Sequence, residues 1–338
     1  MAEFAAEGAT AKAERATPPG PVIEHKGGAS RGSKLLAVFL RVLVRPVLAL
    51  YARWPGLPWP FWLVDRIAVV LRARRGTVRE PVRLADCRAE WLRGPGVPET
   101  GASRAILYLH GGAFVCCGLC THRRLVSSIS AAGAAPVLAV DYRMLPAAPI
   151  SSAVTDGVTG YRWLLDRGFS PDRIVIAGDS AGGYLAFVVA LALLEKGLPR
   201  PAGIAALSPL TDLDPAGKAV HPNATRDPLF PPGALEAIGE LAERTRARVL
   251  VEGSPGPLVS PVDEDLSALP PSLIQVGSTE LLLPDAELMA ERLAAAGVPA
   301  RLQVWADQVH VFQAAADFLP QGREAIRDLG AFIREVTP

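Results

Sequence analysis

The chain has 338 residues, half of them hydrophobic, with a formal net charge of +1 at pH 7. That length allows one large core, or one domain with a lid, and nothing in the near-neutral charge argues for a strongly charged partner, so no nucleic acid is expected. The four cysteines, Cys87, Cys116, Cys117 and Cys120, lack the spaced pairs of a secreted disulfide framework, so reduced thiols and a cytoplasmic location are expected.

Residues 1–33 are rich in Ala, Gly, Pro and charge, without periodicity. They read as a disordered or loosely attached leader. No basic stretch followed by an apolar core marks a signal peptide there. Leu35 to Leu50 form an apolar run that Arg41, Arg45 and Pro46 interrupt. As a membrane span it reads as too short and too charged. It suits a lid helix over an apolar site, or a helix lying on a membrane surface through 35–62. Trp54, Trp59, Phe61 and Trp62 follow and suit a pocket wall or a lid-to-core contact. The expected division is a leader at 1–33, an N-terminal cap segment at 34–80 and a main domain at 81–338.

Alternation between Val82 and Leu92 predicts an antiparallel hairpin. Short apolar runs then recur as strands at 105–109, 136–140, 174–177, 203–208, 272–277 and 301–305. Helical patterns separate them at 121–132, 153–167, 184–194, 285–296 and 322–336. The irregular, Pro-rich stretch from 209 onward, with one helix near 233–247, reads as a cap insertion at about 211–250. Strand and helix in alternation mean an α/β fold, a mostly parallel sheet with helices on both faces. Ligands bind beyond the carboxyl ends of such strands. The polar residues there are His110 to Ala113, Asp141 to Arg143, Gly178 to Ser180, Ser208 to Asp212, Ser278 to Glu280 and Asp307 to His310.

Gly178-Asp179-Ser180-Ala181-Gly182 stands between a buried strand and an apolar helix. A tight turn there exposes the Ser180 hydroxyl at the sheet end. A serine hydroxyl is a poor nucleophile without a base, and the base needs a carboxylate to orient it. Of the five histidines, only His310 both follows Ser180 and stands just past a strand. The acid candidates are Glu280 and, five residues on, Asp285 beside Pro284; position after the strand favours Glu280. Oxyanion donors would be the N–H groups of Ala181, at a helix start, and of Gly111 and Gly112. His110 reads as a structural anchor of that glycine loop. No Gly-Lys-Ser/Thr follows the glycines, which excludes a phosphate loop. Cys116, Cys117, Cys120 and His122 are crowded, but no second Cys or His pair stands at zinc-finger spacing. They read as small buried side chains at a helix start.

These motifs together resemble the hormone-sensitive-lipase-like family of α/β-hydrolases. The resemblance runs from about Val82 to the C-terminus. It rests on His110-Gly111-Gly112-Ala113-Phe114, Asp141-Tyr142-Arg143, Gly178 to Gly183, Ser260-Pro261, Leu269-Pro270-Pro271, Gln275-Val276-Gly277 and His310-Val311-Phe312. It implies an α/β-hydrolase core with a helical cap and cofactor-independent hydrolysis of short- to medium-chain acyl esters. Ser180 would be nucleophile, His310 base and acid, Glu280 the orienting carboxylate, with Gly111, Gly112 and Ala181 as oxyanion hole. Relatives often dimerise through the last strand and helix, so a homodimer is a further expectation. Three positions depart from the family pattern: Ala113 replaces a third Gly, Ala147 replaces a Glu, and Glu280 stands where Asp is commoner. Acyl transfer to another acceptor would use the same acyl-enzyme. A non-catalytic ligand receptor on this fold would usually have lost the nucleophile or base.

Overall fold

The structure, a computed structural model, describes residues 20–250 and 258–338. One nine-stranded sheet runs through it. In chain order its strands are β1 (Val22–Lys26), β2 (Val78–Arg83), β3 (Arg88–Arg93), β4 (Ala105–Leu109), β5 (Val137–Asp141), β6 (Ile174–Asp179), β7 (Gly203–Leu207), β8 (Ser272–Gly277) and β9 (Ala300–Trp305). The order across the sheet is β1-β9-β8-β7-β6-β4-β5-β3-β2. Only β2–β3 and β3–β5 pair antiparallel. The helices are α1 (Arg31–Phe39), α2 (Arg45–Arg53), α3 (Trp62–Ile67), α4 (Leu119–Gly133), α5 (Ile150–Asp166), α6 (Ala181–Glu195), α7 (Ala216–Val220), α8 (Asn223–Arg226), α9 (Ala234–Leu250), α10 (Leu283–Ala295) and α11 (Pro320–Val336).

The central strands β4, β6, β7 and β8 are buried at every position because both faces are covered. Successive side chains point to opposite faces. Leu107, Leu109, Ile174 and Ile176 therefore join the core shared with α5, α6 and α10. Ile106, Tyr108, Val175 and Ala177 join the opposite core, shared with α4 and α11. Helix α6 follows the Ser180 turn and buries nearly its whole surface. That explains its lack of a polar stripe and holds the turn rigid.

Two expectations are corrected at the N-terminus. Part of the leader is ordered: β1 pairs parallel with β9, Val22 opposite Arg301 and Lys26 opposite Trp305. Residues 1–19 lie outside the described residues. The last strand would otherwise present an unpaired edge; β1 fills it, and Glu24 accepts from Gln303 at 3.0 Å. A dimer built on the β9 edge would meet β1 instead. The reading of 35–50 as too short to span is corrected as well. Arg31 to Arg53 form one helical rod, long and apolar enough to cross a membrane by length and composition. A single π-turn, Leu40–Val44, lets Arg45 N–H reach Leu40 O. It places Pro46 in the first turn of α2, where a missing N–H costs little.

Candidate active site

Ser180 caps β6 with φ 54° and ψ −119°. Such a conformation costs a non-glycine residue about 1–3 kcal/mol. A Cβ on Gly178 would run into the Gly182 carbonyl, and one on Gly182 into the Leu109 carbonyl, so both glycines are required by space. Eight non-glycine residues among those described have positive φ, and all but Ala134 lie in loops after strands: Ala113, Phe114, Cys117, Ser180, Ser208, Asp307 and Val311. Strain gathered at one end of a sheet marks a functional surface.

Glu280 and His310 meet there. His310 Nδ1 lies 2.8 Å from Glu280 Oε2. The other carboxylate oxygen accepts from Ser208 Oγ at 2.8 Å and from Gly277 N at 2.5 Å. Ser208 Oγ in turn accepts from Val311 N at 3.1 Å. Ser208, one residue past β7, thus ties the acid loop to the histidine loop, and Leu207 O accepts from Ser180 N at 2.8 Å. Burial pushes the His310 imidazole down, but the Glu280 hydrogen bond and charge outweigh it and hold the group above its ordinary value. The hydrogen bonds among the described residues join Glu280 to His310, with none from His310 to Ser180; catalytic bonds of this kind often tighten only around substrate. Asp285 faces elsewhere. It pairs with Lys218 at 3.0 Å and accepts from Thr211 N and Asp212 N, which fastens the start of the cap insertion.

The glycine loop after β4 needs one correction. Gly111 N–H donates to Asp179 Oδ1 at 3.0 Å, so it is not free for an oxyanion. Asp179 also accepts from Tyr108 OH at 2.6 Å and pairs with His122 Nε2 at 3.1 Å. Sequence reasoning missed this role, because the reach of Asp179 across β6 to β4 depends on strand order. His122 turns its other ring nitrogen toward Gly118 O and Thr121 Oγ, so His122 is an ion-pair partner in the site's support. Burial disfavours its charge, but Asp179 overrides that and raises the imidazole to about 9. The folded value exceeds the unfolded one, so this pair stabilises fully below about 6.5 and is lost as pH rises through about 9. Thermal melts from pH 6 to 10 should show that decline; His122→Gln should remove it, and an unchanged decline would assign it elsewhere. His110 anchors the loop by its Nδ1 contact to Gly111 O at 2.7 Å and stacks on Tyr142 at 4.2 Å. Burial and the neighbouring His122 charge lower its value to about 4, so it is neutral.

A cavity of about 280 Å³ opens beside Ser180. Ala113, Phe114, Ala181, Leu210, Phe230 and Ile238 are among its walls. Phe230 comes from the insertion between β7 and β8 and packs edge-on against His310 at 4.9 Å between ring centres. Asp227 holds that loop, accepting from Phe230 N at 2.9 Å and Leu281 N at 2.6 Å. Among the described residues none of 34–62 borders the cavity; α2 packs instead against α9, whose Ile238 and Gly239 do. Trp54 and Trp62 point outward, while Trp59 and Phe61 pack edge-on against Tyr51.

Known proteins share this fold. A family model described as the alpha/beta hydrolase fold matches residues 106–314. The chain is 46% identical to Esterase LipU of Mycobacterium tuberculosis over 87% of its own length and 99% of the relative's. It is 41% identical to Carboxylesterase/phospholipase LipF of the same organism, over 94% of this chain and 85% of that one. It superposes on the crystal structure of an esterase from the bacterial hormone-sensitive lipase family with a TM-score of 0.74 and 36% identity, covering 87% of this chain and 97% of that one. With both halves of the sheet, the nucleophile turn and the glycine loop in place, this chain belongs to the hormone-sensitive-lipase-like family of α/β-hydrolase esterases and lipases.

Proposed function

We propose that this chain is a serine carboxylesterase that hydrolyses short- to medium-chain acyl esters through an acyl-enzyme on Ser180. The observation that carries the mechanism is the 2.8 Å bond between His310 Nδ1 and Glu280, at the sheet end where Ser180 is held strained. Glu280 fixes the tautomer that leaves His310 Nε2 unprotonated, ready to take the Ser180 proton. The hydroxyl oxygen attacks the ester carbonyl, and His310 hands the proton to the departing alcohol. Water then repeats the sequence and releases the acid. The oxyanion is received by the N–H groups of Gly112, Ala113 and Ala181. Ala113, Ser180 and Ala181 border one cavity, and Gly111 is engaged by Asp179. The apolar walls suit a hydrocarbon chain.

The intact protein should hydrolyse p-nitrophenyl butyrate and be labelled by a fluorophosphonate probe; failure of both would refute the reading. The base must be neutral to accept a proton, so kcat/KM should rise with pH. Because Glu280 holds His310 above its ordinary value of 6.5, the midpoint of that limb should lie above 6.5. A midpoint at or below it would mean that another group is the base.

A further inference from the structure

The Arg31–Arg53 rod has two unlike sides. One is fastened to the fold. Ser33 Oγ donates to Gln308 at 2.9 Å, Leu36, Ala37 and Leu40 pack against Trp305, Phe312 and Leu319, and Tyr51 is buried. The other side carries Leu35, Val38, Phe39, Val42, Leu43 and Val47, each more than half exposed. Their spacing of three and four places them along one stripe. A contiguous apolar stripe of this size on a surface marks an interface.

Charge identifies what it meets. From Gly27 to Arg75 the sequence holds nine cations (Arg31, Lys34, Arg41, Arg45, Arg53, Arg66, Arg72, Arg74, Arg75) and one acid, in a chain of net charge +1. The one acid, Asp65, is occupied by Thr121 N and Oγ. Arg41 and Arg45 donate to the carbonyls of Arg226 and Phe230, which leaves their charge uncompensated. A second copy docked by two-fold symmetry would set this cationic strip against itself. An anionic surface is the complement. Trp54 and Trp62, half or more exposed beyond the rod, are side chains suited to a headgroup layer.

We propose that the outer side of the rod docks on an anionic lipid bilayer and lies in the plane of the headgroups. It cannot span while its inner side remains packed on Trp305 and Phe312, so the binding is peripheral. Arg45 Nε reaches Phe230 O at 3.5 Å, and Phe230 packs on His310. Docking therefore sets the wall of the Ser180 cavity close to the bilayer, a source of apolar esters.

Flotation of the full chain with vesicles reads this without any hydrolysis, so it stands or falls apart from the proposed reaction. Vesicles of phosphatidylglycerol and phosphatidylcholine in equal parts should carry the protein, and phosphatidylcholine alone should carry at least about ten-fold less. High salt should release it. The double variant Val42→Glu/Leu43→Glu should bind at least about ten-fold more weakly, with unchanged hydrolysis of a water-soluble short ester. The proposal is overturned by no flotation with either vesicle, or by equal flotation with both. It is equally overturned if only detergent releases the protein after salt and alkaline washing, which would mean a span. A dimer in light scattering that the double variant converts to monomer would give the stripe to a second copy and overturn it too.

Discussion

Replacing Ser180 by alanine should lower kcat for p-nitrophenyl butyrate by about 10⁶ and abolish fluorophosphonate labelling. Ser180 is only 8% exposed, and its N–H is bonded to Leu207 O, so the change removes the hydroxyl and little else. Alanine keeps the positive φ and its strain, so the turn remains in place. What survives is the contribution of the oxyanion donors and of binding, since water would have to attack directly. Wild-type turnover in the purified variant would remove Ser180 from the mechanism. Retained labelling would place the nucleophile at another residue.

Glu280→Gln should cost about 10⁴ in kcat, and the hydrogen bonds say why. Two donors, Ser208 Oγ and Gly277 N, already point at Oε1. A glutamine must keep its carbonyl oxygen there, which turns its amide NH₂ toward His310 Nδ1. That nitrogen then has to accept, so the proton moves to Nε2, the atom that should receive the Ser180 proton. The base is disabled by tautomer, with its position unchanged. Asp285→Asn should behave differently. It leaves Lys218, whose side chain is only 4% exposed, with an uncompensated charge and should destabilise the fold by about 3–5 kcal/mol. Its kcat should stay within about ten-fold of wild type, because Asp285 contacts Thr211, Asp212 and Lys218 and not His310. Melting temperature and kcat, measured on both variants, separate the two carboxylates; the reverse pattern would make Asp285 the acid.

The sheet and the residues at its end were legible because each depends on local signals in chain order. Apolar runs marked the strands, and the polar residues after them, Ser180, Glu280 and His310, converge by topology. Gly111 was misread for a different reason. Which amide of a glycine loop is free depends on a side chain from another strand, here Asp179, and spacing does not carry that. Ala113, a donor in the proposed mechanism, escaped notice because it carries a methyl where the family has glycine, although its N–H is unaffected. The rod was read as too short to span because Arg41, Arg45 and Pro46 interrupt its apolar run; one π-turn carries the helix past Pro46. Strand β1 was invisible because its partner lies 279 positions away, Val22 against Arg301.

That pairing also sets an order of events. β1 and β2 form the two opposite edges of the sheet, so both borders come from the first quarter of the chain, and residues 27–77 run from one to the other. During synthesis these borders emerge first, yet β1 has nothing to pair with until β9 is made. The inner side of the rod waits as long for Trp305, Phe312 and Leu319. Closing contacts of such sequence separation is slow. For most of its synthesis the chain therefore presents a free apolar rod with cations along it, and only the arrival of the last forty residues fixes which side of that rod stays outside.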